Sequence, residues 1–170
     1  MLPPRDWLRV ARLLVAADDG GDRAALGRAV SATYYAMFHH LARSAADLLI
    51  GTRGPDTSNP AWRQVYRALE HGAVWNACRH REIVRRFPRA VQDYAQLFVD
   101  RQDDRVIADY DPDVRFDPSR VRADIDTVTL AIEGFDSESE RDRRAFCVYI
   151  LLKQPRLRPT VKTGPRIAPA

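Results

Sequence analysis

Arg23-Ala-Ala-Leu-Gly-Arg-Ala-Val-Ser-Ala-Thr-Tyr-Tyr-Ala-Met-Phe-His-His-Leu-Ala-Arg-Ser-Ala-Ala-Asp-Leu-Leu-Ile50 keeps a helical period throughout, over a length greater than a small domain is wide. Leu26, Val30, Thr33, Met37, Leu41 and Leu48 recur at steps of three, four or seven and share one face, the face that a helix turns toward a core. Beside it run Arg28, Ser31, Tyr35 and His39. A plain core helix carries no such row, so these positions form either a polar seam at a helix interface or contacts to a ligand.

Upstream, Trp7, Leu8, Ala11, Leu14 and Val15 make a short amphipathic helix, which Asp18-Asp19-Gly20-Gly21 stops. Downstream, Gly51 to Pro60 is a loop by composition, and its glycine spacing is not that of a phosphate loop. Ala61 to His71 reads as a further helix with Trp62, Val65 or Tyr66, and Leu69 inward; Gly72 is expected to loosen it, leaving a turn or two over residues 80–87. Pro88 opens a helix that runs to Asp109 or Tyr110. Asp117 and Pro118 cap and open the next, whose buried stripe is Val121, Ile125, Val128, Ile132 and Phe135. The last helix begins between Ser137 and Glu140 and ends before Pro155. No alternating strand pattern occurs. The expected fold is all-α, an up-and-down helical bundle of about five to six helices over residues 1–153, followed by a disordered basic tail over 154–170.

Of the 170 residues, 27 are Lys or Arg and 23 are Asp or Glu, and the pI is near 9.4. The excess is local: Lys153, Arg156, Arg158, Lys162 and Arg166 face no acid, and without them 22 basic residues stand against 23 acids. A tail of this kind strengthens contact with any acidic partner and selects none. Arg79, Arg81, Arg85, Arg86 and Arg89 cluster in the body, with 81, 85 and 89 at the spacing of one helical face; such a run is a solvated face unless a groove surrounds it. Cys78 and Cys147 give no disulfide framework, which suits a reducing cytoplasm, and Cys78-Arg79-His80 is too closely spaced for a metal site. The start, Met1-Leu-Pro-Pro-Arg-Asp-Trp7, lacks the pattern of a signal peptide, and no apolar run approaches the roughly 20 residues that span a bilayer. The expectation is a soluble cytoplasmic protein with no cofactor, no metal and no membrane partner.

In the helix after Pro88, Val91, Tyr94 or Ala95, and Phe98 set a buried stripe that the same steps carry on to Gln102, Arg105 and Asp109. The inward face turns polar there. Arg105 and Asp109 lie one turn apart, and as an exposed pair they would add only about 0.3 to 0.5 kcal/mol. If that face points into the protein, desolvation makes stability a poor reason for them. A function, or a buried network joining them to Tyr35 or His39, explains them better.

Ser31-Ala-Thr-Tyr-Tyr-Ala-Met-Phe-His39 in a long helix, followed far downstream by Arg105-Val-Ile-Ala-Asp-Tyr-Asp-Pro112, resembles the HEPN superfamily of small helical proteins across most of residues 5–153. The resemblance implies a helical bundle that forms a homodimer, with polar residues of both chains meeting in a cleft. It further implies either a ribonuclease, often a toxin paired with a nucleotidyltransferase-like antitoxin, or a non-catalytic RNA-binding or scaffold version. Active members share an arginine followed, after four to six intervening residues, by a histidine, and none of His39, His40, His71 or His80 has an arginine at that distance before it. By this resemblance Arg105, Asp109 and Tyr110, with Arg28, Ser31 and Tyr35, are the candidates for holding RNA or a nucleotide. A divergent, metal-independent endoribonuclease would need Arg105 to stabilise the phosphorane and His39 or His71 to move a proton. The missing spacing favours binding over cleavage. The alternative for Arg105 and Asp109 is a structural ion pair near a helix end, and for His71 a helix-terminal residue set against the negative end of the dipole.

Overall fold

The computed structural model describes residues 3–17 and 22–152, and these fold as eight helices without a strand. The helical class agrees with the sequence, while the helix number exceeds the five to six expected. The stop at 18–21 and the tail over 154–170 lie outside the described residues. The helices are α1 (Pro4–Ala16), α2 (Arg23–Ile50), α3 (Asn59–Ala68), α4 (His71–Arg79), α5 (Arg81–Val84), α6 (Arg89–Tyr110), α7 (Pro118–Ser137) and α8 (Glu140–Leu151).

Helix boundaries follow local chemistry. Asp22 caps α2, its carboxylate accepting from the amides of Ala24 and Ala25 at 2.9 and 3.4 Å. Gly51 ends that helix with φ of 109°, a conformation that excludes most side chains. Asp117 accepts from the Arg120 amide at 3.0 Å with Pro118 in the first turn of α7, and Ser139 accepts from the Asp142 amide at 3.1 Å at the start of α8.

The extra helices come mainly from one break. Leu69 and Glu70 are extended, with ψ of 123° and 131°, so the expected Ala61–His71 helix stops at Ala68 and a new one begins at His71. A continuous helix carrying Trp62, Tyr66 and Leu69 inward would next turn Ala73 and Asn76 inward. The break re-phases the chain so that Val74 and Cys78 are buried instead. Gly72 therefore lies inside the first turn of α4 rather than at the end of α3. A second break, at residues 85–88, separates α5 from α6, so Arg81, Arg85 and Arg89 do not share a helix face and all three are exposed.

Helix α2 is the hub, packing against α1, α3, α6, α7 and α8, and α6 joins it to α4, α5 and α7. Ala29, Ala32, Ala36, Ala42, Ala45 and Ala46 let neighbours approach closely, while Leu26, Tyr34, Met37 and Leu41 fill the spaces between them. From α6 come Val91, Tyr94, Ala95 and Phe98, and from α7 Val121, Ile125, Val128 and Phe135. No helix among the described residues is long and apolar enough to cross a membrane. Both cysteines are free and buried, and burial pushes each thiol up to about 12.

Phe98 is fully buried where α6 meets α2. Phe98→Ala should cost about 3 to 5 kcal/mol in urea denaturation followed by circular dichroism. Val106→Ala, on the exposed side of the same helix, should stay within about 0.5 kcal/mol.

Candidate functional site

The polar stripes of α2 and α6 meet. Ser31 donates to Asp109 Oδ1 at 2.9 Å across the two helices, and the other oxygen of Asp109 lies 2.7 Å from Arg105 Nε. Arg105 Nη2 reaches the Tyr35 hydroxyl at 3.4 Å, and its guanidinium sits 5.9 Å from the Tyr35 ring and 6.0 Å from that of Tyr110. Arg28 approaches Asp109 only to 3.8 Å with its side chain 76 % exposed, an ion pair worth roughly 0 to 1 kcal/mol. Tyr110 is 74 % exposed. Arg28 and Tyr110 therefore form the open rim of the cluster, and Ser31, Asp109 and Arg105 its base.

Arg105 is held without being used up. Its side chain is 26 % exposed. Its Nε–H is not aligned on any acceptor among the described residues, so the contact with Asp109 is ionic rather than a directed hydrogen bond. Desolvation works against its charge, but Tyr35 and Asp109 more than offset it and raise its pKa. Nε is enclosed, but Nη1 has no partner among the described residues, and a planar cation held this way is suited to the oxygens of a phosphate.

The break between α3 and α4 delivers His71 to the same place. Its ring stacks on Phe38 at 3.8 Å between centroids, and its Nδ1 lies 2.5 Å from the hydroxyl of Tyr34. Tyr34 is itself buried, and its hydroxyl is 3.4 Å from Gln102 Oε1 on α6. If Tyr34 donates to Gln102, the Nδ1–H of His71 donates to Tyr34 and Nε2 carries the lone pair. If Tyr34 donates to Nδ1, the proton sits on Nε2. His71 opens α4, so it stands at the positive end of a helix dipole, the reverse of the helix-terminal role expected from sequence.

His39 is placed differently. Its Nδ1 is 2.6 Å from the Tyr66 hydroxyl, and its ring stacks with Trp7 at 5.4 Å. Tyr35 stands beside it at 6.1 Å and is the residue that bonds Arg105. The structure thus brings Arg105, Asp109, Ser31, Tyr35 and His71 together, with Arg28 and Tyr110 at the rim and His39 one ring away.

Two buried polar groups escaped the sequence. Arg101, 7 % exposed, pairs with Asp104 and Asp124 at 2.8 and 2.5 Å and ties α6 to α7. It lies one turn before Arg105 on α6, and only the position of α7 separates a structural arginine from the one at the site. His40 is buried with Nε2 3.0 Å from Asp136 and Nδ1 3.1 Å from Tyr94, whose hydroxyl donates to the Met37 carbonyl at 2.8 Å. Both ring nitrogens are engaged, so His40 is not free to activate Ser44 on the same wall of a cavity of about 680 Å³. Desolvation raises the Asp136 carboxyl, but the His40 hydrogen bond, His40 and Arg143 hold it below its ordinary value. Arg79 lies 4.1 Å over Trp75, and the other arginines of that run are exposed.

Comparison with protein-family models, with curated proteins and with solved structures yields no match.

The pKa of His71 lies below the ordinary histidine value, first because burial disfavours the imidazolium and second because Arg105 is close. The folded protein therefore binds this proton more weakly than the unfolded chain. The contribution to stability is full above about pH 6.5 and falls as the pH drops through that value. An NMR titration of His71 should give a midpoint below about 6.5, and Arg105→Gln should move it upward without reaching that value, since burial remains.

Proposed function

We propose that the protein binds RNA through the cluster around Arg105, as a HEPN-like binding module. The observation that carries this reading is Arg105 itself: half-buried, held by Asp109 and Tyr35, and with no partner for Nη1 among the described residues. Arg105 supplies charge-assisted hydrogen bonds to a phosphate, while Arg28 adds a second, mobile charge and Tyr110 an exposed ring on which a base can stack. The order of the two motifs along the chain supports the HEPN resemblance, and with it a homodimer working in a toxin-antitoxin or defence system beside a nucleotidyltransferase-like antitoxin.

The second reading, a divergent endoribonuclease, is favoured by His71 rather than His39. His71 has a partner on Nδ1, a lowered pKa and a place beside Arg105. With Nε2 unprotonated it would take the proton of a 2′-hydroxyl as that oxygen attacks the phosphorus. The 5′-oxygen would leave with a proton returned by the imidazolium, giving a 2′,3′-cyclic phosphate and a 5′-hydroxyl. Arg105 would stabilise the charge on the phosphorane.

Binding and cleavage of a single-stranded RNA panel without added divalent metal separates the readings. Arg105→Ala should weaken RNA binding about ten- to a hundredfold, the loss expected for hydrogen bonds to a charged group. Uncleaved RNA with this loss means a binding module. Cleavage abolished by both Arg105→Ala and His71→Ala, and retained by His39→Ala, means the ribonuclease. No retention of RNA by the wild type would overturn both.

A further inference from the structure

A second cluster of rings lies at the other end of the Tyr35 neighbourhood. His39 and Tyr66 are joined by their 2.6 Å hydrogen bond, with centroids 6.0 Å apart and planes inclined by only 12°. Two rings bonded edge to edge through in-plane atoms have about this separation, so they form one flat plate. Trp62 lies almost parallel to Tyr66 at 5.2 Å and is fixed by its indole N–H, which donates to Asp47 at 2.7 Å. These three rings line a cavity of about 230 Å³ together with Pro3 and Pro4; Trp62 and Tyr66 are buried, His39 is half-buried, and Arg43 and Arg53 stand at the edge. This volume is below the roughly 300 Å³ at which drug-sized sites begin, and suits a single ring system.

The two rim arginines differ. Arg43 is paired with Asp47 at 3.4 Å. Arg53 is exposed, spends Nε on Asn59 Oδ1 at 3.1 Å, lies 5.2 Å over the Trp62 ring, and has no partner for its other nitrogens among the described residues. Of the two, Arg53 is therefore the cation at the cavity's edge whose Nη groups remain without a partner among the described residues. Continuity with Arg105 is direct: its guanidinium stands 5.9 Å from the Tyr35 ring, Tyr35 is 6.1 Å from His39, and His39 is a wall of this cavity.

We infer that this cavity is a base-binding subsite, in which one nucleobase of a single-stranded RNA lies against the His39–Tyr66 plate beneath the Arg53 guanidinium while a neighbouring phosphate of the same strand sits at Arg105. The inference rests on the RNA reading above and adds to it that recognition involves a base as well as the backbone. Arginine is suited to the closing position because its guanidinium stacks on a planar ring, which an ammonium does not do.

The test is calorimetric titration with an oligoadenylate octamer and with an abasic octamer of the same backbone. Wild type should bind the base-bearing strand about tenfold more tightly, the scale of stacking one base. Arg53→Lys, which keeps the charge at an exposed position, should bind the abasic strand as wild type does and lose the preference for the base-bearing one. Arg105→Ala should weaken both strands alike. A base preference that survives Arg53→Lys, or its absence from wild type that binds both strands, would overturn the subsite and leave the RNA reading intact. Failure of wild type to bind either strand, or unchanged binding by Arg105→Ala, would overturn the RNA reading itself.

Discussion

Helix α2 is enclosed by α1, α3, α6, α7 and α8, so the polar side chains of its middle stretch, from Ser31 to His40, have to find their partners inside the protein. Burying a polar group without a partner costs about 1 to 3 kcal/mol, and a charge costs more. Four of these residues consequently fix a neighbour: Ser31 fixes Asp109, Tyr34 fixes His71, His39 fixes Tyr66, and His40 fixes Asp136. The helix that builds the core thereby also decides where α6, α4, α3 and α7 place their functional groups. An arginine at the far end of α6 becomes part of a site because Ser31 and Tyr35 are waiting for it.

This linkage explains how much could be read in the chain alone. The caps at Asp22 and Asp117, the buried stripe of α7 and the inward turn of Gln102, Arg105 and Asp109 all rest on local periodicity, which a single sequence displays. The pairing of the α2 stripe with the α6 stripe follows, since two polar faces on otherwise apolar helices have strong reason to meet. The break at Leu69 and Glu70 was hidden because neither residue is a helix breaker. It exists to bury Val74 and Cys78 in place of Ala73 and Asn76, a tertiary demand with no local signature. The position of His71 depends on that break. His40 and Arg101 were missed for a related reason: their partners, Asp136, Asp104 and Asp124, are brought near by α7 or lie on a flank that looks exposed in sequence.

Two arginines one turn apart on α6 show what distinguishes structure from function here. Arg101 is enclosed by two carboxylates on α6 and α7, and its side chain is buried. Arg105 has one carboxylate, a tyrosine hydroxyl at the edge of hydrogen-bonding distance, and an open side toward Arg28 and Tyr110. The first is shut off from solvent, whereas the second is open on one side, where an anion could reach it. His71 and the ring-lined cavity stand on either side of the same tyrosine, so a strand lying along this face would meet a cation, an imidazole and a base-sized hollow in succession.

The most direct test follows the side-chain Nε–H resonances of the two arginines by NMR while a single-stranded RNA octamer is added. The account predicts a saturable shift at Arg105, with His71 moving in parallel, and none at Arg101. Equal shifts at both arginines, or shifts confined to other faces of the protein while Arg105 stays still, would contradict it.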